Sequence, residues 1–156
     1  MIPPGRQNVN TTAKHTEFRR MPAFPQHQSE AALRDALRDM LSQLFAGTLD
    51  PAQVMTADYI QHTDGKRLEY KGFVAHLKHV RNAVREVRFE VLDACCTGNL
   101  LADRHIAEVH HHDGHISRIE VSMFTRLAND RITRIDETTR SLDGNNADRE
   151  LAHAQA

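Results

Sequence analysis

The chain has no surplus of charge of either sign: 20 Lys and Arg stand against 21 Asp and Glu, for a formal net charge of -1. A balanced chain of this kind offers no electrostatic footprint for nucleic acid. It also has no apolar run near the roughly 18 residues that span a bilayer, and its first residues lack the charged-then-apolar order of a signal peptide. Neither nucleic acid nor a membrane is therefore expected as a partner. Cysteine is scarce, with only Cys95 and Cys96. Neighbours in a strand point to opposite faces and bridge each other poorly, so both are read as reduced thiols and the cytoplasm as the expected location. Internal repeats and low-complexity stretches are missing too.

What is present suits one globular domain: 156 residues, 40% hydrophobic and 26% charged, enough for a single core. Residues 1–28 hold Pro3, Pro4, Pro22 and Pro25 among polar neighbours and read as a flexible arm. Residues 143–156 read as a flexible polar tail, which leaves 29–142 as the folded domain.

Within it Ser29 caps a helix whose Leu33, Leu37, Met40, Leu41 and Leu44 recur at helical spacing, and Gly47 ends it. Asp50-Pro51 starts a short helix through about residue 55, and 57–63 reads as a strand. A helix over 70–84 places Phe73, Leu77, Val80 and Val84 on one side. Strands over 86–96, 100–112, 115–127 and 131–141 follow, separated by Gly98-Asn99, Asp113-Gly114 and Asn129-Asp130, dipeptides that tolerate positive φ. Helices first and an antiparallel meander after them define the α+β class.

Turn positions predict registers. A loop centred on Asp113-Gly114 sets His105 opposite Ser122, Ala107 opposite Glu120 and Asp103 opposite Phe124. Asn129-Asp130 sets Ser122 opposite Glu137 and Phe124 opposite Ile135, while Gly98-Asn99 sets Leu92 opposite His105 and Asp93 opposite Arg104. One face then carries Leu92, Ala94, His105, Glu120, Ser122, Phe124, Ile135 and Glu137, apolar walls with a few ionisable groups, which suits a cavity for a small apolar molecule. The opposite face carries Val91, Ile106, Ile119, Val121, Met123, Leu127 and Ile132, apolar enough to predict cover by a second copy of the chain.

His105, Glu120 and Glu137 are the candidate acid-base groups, because burial of neighbouring carboxyls raises at least one pKa. Arg104 is read as the partner of Asp93 in a structural ion pair. The cluster His110, His111, His112 and His115 has metal-like composition. Alternation nonetheless separates its members at a hairpin tip, so no functional metal is expected, only adventitious divalent-ion binding. Tyr59-Ile60-Gln61-His62 supplies polar groups before a loop, with its inward pair left open, and His27, His76 and His79 are read as surface residues.

These residues resemble the SnoaL-like polyketide cyclases of the nuclear transport factor 2-like superfamily, which also holds ketosteroid isomerase and limonene epoxide hydrolase. The resemblance covers most of 29–142. It rests on the order of elements, on Tyr59-Ile60-Gln61-His62 with Gly72-Phe73 beyond, and on Val121-Ser122-Met123-Phe124 followed by a turn and Arg131-Ile132. It implies a cone-shaped α+β barrel around an apolar pocket and a homodimer through the outer face of the sheet. It further implies a basic role for His62 and an acid where this chain has Ser122, a hydroxyl that cannot replace a raised-pKa carboxylic acid. The paired Arg-Asp pattern of limonene epoxide hydrolase is absent, since Asp103 and Arg104 are adjacent and face opposite ways.

The expected function is cofactor-independent binding of a small apolar carbonyl or hydroxyl compound, with cyclase, isomerase or dehydratase chemistry by His62 or His105 and Glu120 or Glu137. Tyr59, Leu92, Ser122, Phe124 and Ile135 are expected to line its site. The alternative is a non-catalytic ligand-binding or dimerisation module.

Overall fold

Ser29 opens the first element through its side chain, which accepts a hydrogen bond from the Ala32 amide at 3.2 Å. Helix α1 (Glu30–Ala46) buries Leu33, Leu37, Met40, Leu41 and Leu44, each contributing roughly 1.5–3 kcal/mol when fully covered. It ends at Gly47, whose φ of 77° and backbone bonds to Gln43 and Leu44 form a left-handed cap. A side chain there would meet the Arg81 guanidinium about 3.2 Å away, so glycine also lets the second long helix approach. The computed structural model describes residues 29–143, and the expectations for the 1–28 arm and for 144–156 lie outside it.

Asp50 caps α2 (Pro51–Val54), which leads directly into β1 (Met55–Thr63). A turn with positive φ at Asp64 and Gly65 folds β2 (Lys66–Glu69) back on β1. This strand was not anticipated: its Lys-Arg-Leu-Glu sequence lacks apolar alternation, and it forms because the two-residue turn matches strand twist. Helix α3 (Tyr70–Ala83) buries Phe73, His76, Leu77 and Val80. Then come β3 (Glu86–Thr97), β4 (Leu100–His110), β5 (Ile116–Ala128) and β6 (Arg131–Ser141).

The six strands form one sheet in the order β2-β1-β6-β5-β4-β3, antiparallel except for the β1/β6 pair. Parallel pairing puts β1, the first strand, beside β6, the last. α1 packs on β3, α3 packs on β1, and the two helices touch each other on the concave side of the sheet. This is the α+β class that the element order predicts, curved into the cone that the resemblance implies.

Three registers differ from expectation, each by one residue. Between β4 and β5 the loop is five residues, 111–115, with the His111 amide donating to the His115 carbonyl at 2.9 Å and the Asp113 carboxylate accepting from the His115 amide. The turn centre is thus Asp113 itself, so His105 lies opposite Val121, Ile106 opposite Glu120 and Arg104 opposite Ser122. Asn129-Asp130 does form a two-residue turn, with φ of 48° and 61°. A bulge at Thr133 then shifts the pairing, placing Met123 opposite Glu137 and Ser122 opposite Thr138. A bulge at Leu92 pairs His105 with Val91, while Asp93 keeps Arg104 as predicted.

A one-residue slip inverts every side chain. Ile119, Val121, Met123, Leu127 and Ile132, assigned by sequence to the outer face, are buried in the core. Glu120, Ser122 and Phe124, assigned to the cavity, face outward.

Candidate functional site

The inner face of the sheet and the helices α1 and α3 enclose a cavity of about 110 Å³. Its wall is mostly aliphatic and aromatic, and five polar residues reach it: Gln61, His76, His105, Glu137 and Thr139. An apolar chamber with few converging polar groups is the usual form of a small-molecule site.

His105 is 4% exposed and its Nδ1 lies 2.6 Å from Asp103 Oδ2. The two residues are i and i+2 on β4, so alternation puts both on the inner face. Phe89 meets the imidazole edge-on, with ring centroids 5.8 Å apart. When Nδ1–H donates to the carboxylate, the ring is held in one tautomer and Nε2 is the atom left to accept a proton.

Glu137 comes from β6 and meets a second polar chain built on β1. Tyr59 donates to Gln61 Oε1 at 2.7 Å, and Gln61 Nε2 donates to Glu137 Oε1 at 2.9 Å. Thr63 Oγ1 donates to the same oxygen at 2.8 Å. Both donors therefore use Oε1, and a proton on this carboxyl would sit on Oε2. Burial is the largest influence on Glu137 and holds its pKa above the usual carboxylate range. The Thr63 hydrogen bond and the nearby His105 act against that rise, whereas Asp103 and Asp64 reinforce it. Burial likewise pushes the Tyr59 phenol well up, and the charge of Glu137 adds to it.

Of the residues expected to form the site, His105, Glu137 and Ile135 line the cavity, and Tyr59 is buried behind Gln61. The others are elsewhere. His62 points outward from β1, where its Nδ1 lies 3.0 Å from Asp136 Oδ1. Glu120 is held on the outer face by Arg104 at 3.0 Å and by Arg140, and these guanidinium hydrogen bonds keep its carboxyl below the usual range. Ser122 and Phe124 face out, Phe124 with 53% of its surface exposed. Leu92 sits in the bulge, its carbonyl accepting from Arg34 at 3.2 Å. Arg104 pairs with Asp93 at 2.8 Å, the structural bridge predicted for it.

Three contributors were missed. His76, read as a surface residue, is 6% exposed and lines the cavity between Phe45 and Phe73. Gln61 was left without a side of the strand, and it faces inward with Tyr59 and Thr63. Asp103 was given a register partner but no role in the site, although Asp103-Arg104-His105 carries the signal: a carboxylate two residues from a histidine in a strand shares its face. At the β4/β5 loop His110 bonds Glu108 at 2.7 Å and His111 bonds Ser117 at 2.8 Å, while the rings of His111 and His115, expected to be kept apart by alternation, stack with centroids 5.3 Å apart because they stand at the two ends of the five-residue loop. Among the described residues no three His, Cys, Asp or Glu side chains gather as a metal site, and no helix is long and apolar enough to cross a membrane.

No protein-family model matches the chain. Over 101 residues it is 40% identical to the uncharacterized protein C11D3.04c of Schizosaccharomyces pombe, a stretch covering 65% of this chain and 78% of that one. Among solved structures, a loop-truncation variant of IdmH, a candidate polyketide cyclase from Streptomyces antibioticus, superposes with a TM-score of 0.56 at 18% identity, covering 70% of this chain and 91% of the other. A de novo designed protein with the nuclear transport factor 2 fold superposes at 0.50 and 16% identity, covering 83% and 99%. The chain belongs to the family of the Schizosaccharomyces pombe protein C11D3.04c, and its fold is that of the SnoaL-like proteins of the nuclear transport factor 2-like superfamily.

Proposed function

We propose that the protein is a cofactor-independent acid-base enzyme acting on a small apolar carbonyl or hydroxyl compound, of the cyclase, isomerase or dehydratase type. The observation that carries this reading is the buried His105–Asp103 pair in an apolar chamber whose other polar wall is Glu137. Two titratable centres with different environments are the raw material of proton transfer. His105 Nε2 takes a proton from carbon next to the carbonyl while Asp103 stabilises the imidazolium that forms. Neutral Glu137, its Oε1 held by Gln61 and Thr63, donates from Oε2 to the developing oxyanion. The hydroxyl of Ser122 and the imidazole of His62, both on the outer face, take no part.

The experiment is exchange of the proton next to the carbonyl of a small apolar ketone in deuterium oxide, followed by NMR. The native protein is expected to accelerate exchange and His105→Ala to slow it by about 100- to 10,000-fold. Binding of the ketone with no acceleration favours the non-catalytic module instead.

The same reading keeps the homodimer through the outer sheet face that the resemblance implies; the apolar row assigned to that face is buried in the core, and exposed Phe124 remains there among charged side chains as the point to test. Phe124→Glu should then convert a dimer to a monomer in sedimentation, and an unchanged sedimentation profile removes the dimer. A cytoplasmic location completes the proposal, and the free thiols of Cys95 and Cys96 suit a reducing compartment.

A further inference from the structure

Phe45, Val80, Val87 and Phe89 belong to two hollows at once. Behind them lies the apolar chamber with His105. In front lies a wider pocket of about 580 Å³, bounded by the C-terminal ends of α1 and α3 and the start of β3. The rings of Phe45 and Phe89, with centroids 5.2 Å apart, form the threshold between the two.

The outer pocket has a different chemistry. Arg81, Arg85 and Arg88 line it, with Glu86 as the one carboxylate among its lining residues. Glu86 is shared, 2.7 Å from Arg88 and 4.0 Å from Arg85. Arg81 donates to the Leu44 carbonyl at 3.2 Å, which fixes that guanidinium at the end of α1. Three cations against one anion leave positive charge at the mouth of the mostly apolar chamber. A guanidinium fork matches the two oxygens of a carboxylate, and Arg stays charged at any working pH.

We propose that this outer pocket is a head-group subsite and that the ligand is an amphipathic carboxylate: its apolar body passes Phe45 and Phe89 into the chamber, and its carboxylate rests on Arg85 and Arg88. The proposal depends on the chamber being the ligand site, as in the function proposed above, and adds the substrate class. The acidic end faces the arginines, and the reacting carbonyl or hydroxyl lies further in, towards His105 and Glu137.

Calorimetric titration with octanoate and methyl octanoate, which share an apolar chain and differ in charge, tests it. The native protein should bind octanoate about fivefold more tightly than the ester, the top of the range for an ion pair at a partly exposed site. The preference should disappear in Arg85→Gln with Arg88→Gln, and in the native protein at about 1 M salt, where the Debye length is ~3 Å. The salt arm needs no variant to fold. Equal affinities in the native protein, or a preference that survives both substitutions, overturns the subsite and leaves the chamber intact. Failure of both probes to bind overturns the chamber as the ligand site and the subsite with it.

Discussion

Glu120 and Glu137 lie on neighbouring strands of one sheet, and the sheet treats them in opposite ways. Glu120, on the outer face, is clamped by Arg140 and Arg104, and those hydrogen bonds lower its pKa. Glu137, on the inner face, has hydroxyl and amide partners and no cation bonded to it in the described residues, so desolvation raises its pKa. The two histidines differ in a parallel way. His62 sits outside against Asp136, which Arg134 also holds at 2.7 Å. His105 sits inside, bonded to Asp103, which is itself buried. The outer face spends its charges on one another in water, where each pair is worth little. The inner face holds two titratable groups, His105 and Glu137, away from water.

The largest expected contrast is catalytic. His105→Ala should remove the proton-exchange activity by the factor given above, whereas His62→Ala should leave the rate within about twofold, since general acid-base help of ~100-fold or more belongs to the group that reaches substrate. Loss of activity in His62→Ala with retention in His105→Ala would invert the assignment of faces.

Next in size is stability. Met123, 2% exposed, should cost about 2–5 kcal/mol when truncated to Ala, as measured by urea denaturation. Phe124→Ala, its neighbour on the outer face, should cost well under that in a monomer, roughly 0.5 kcal/mol.

A subtler contrast lies in pH. Because the Glu137 pKa is raised on folding, the unfolded chain gives up this proton first as pH rises above about 4.3, and the group's contribution falls through the window up to its folded value. Glu137→Gln should remove that fall. Because the Glu120 pKa is lowered, its contribution is present above about 4.3 and lost as pH falls through the folded value, so Glu120→Gln should flatten the acid side instead. Denaturation midpoints across mildly acidic pH measure both, and slopes of equal sign would contradict the contrast. The smallest effect on the denaturation midpoint is expected from Arg104→Ala, and it should shrink further in salt, because its pairs with Asp93 and Glu120 lie on the outer face.

The elements were legible because their ends carry specific chemistry: Ser29, Gly47 and Asp50 cap as their side chains and backbone dictate. The class followed from helix and strand order. The face of each strand was not legible from turns alone, since Asp113-Gly114 fits both a two-residue and a five-residue connection. Bulges at Leu92 and Thr133 likewise leave no mark in local composition. A corrective signal was present in β5. Ile119, Val121, Met123 and Leu127 alternate with Arg118, Glu120, Ser122 and Arg126, and an apolar row against so polar a partner row belongs to the core. Weighting that pattern above the turn dipeptide places His105 inside with Val121, and brings Asp103 in with it.

Which histidine meets the ligand separates the two faces most directly. Ring-proton NMR of the native chain during titration with a small apolar ketone should move the His105 signals and leave those of His62 in place. Asp103→Asn, which breaks the bond that orients the ring, should weaken the response. Movement of His62 with His105 unchanged would contradict the inner chamber as the site of chemistry.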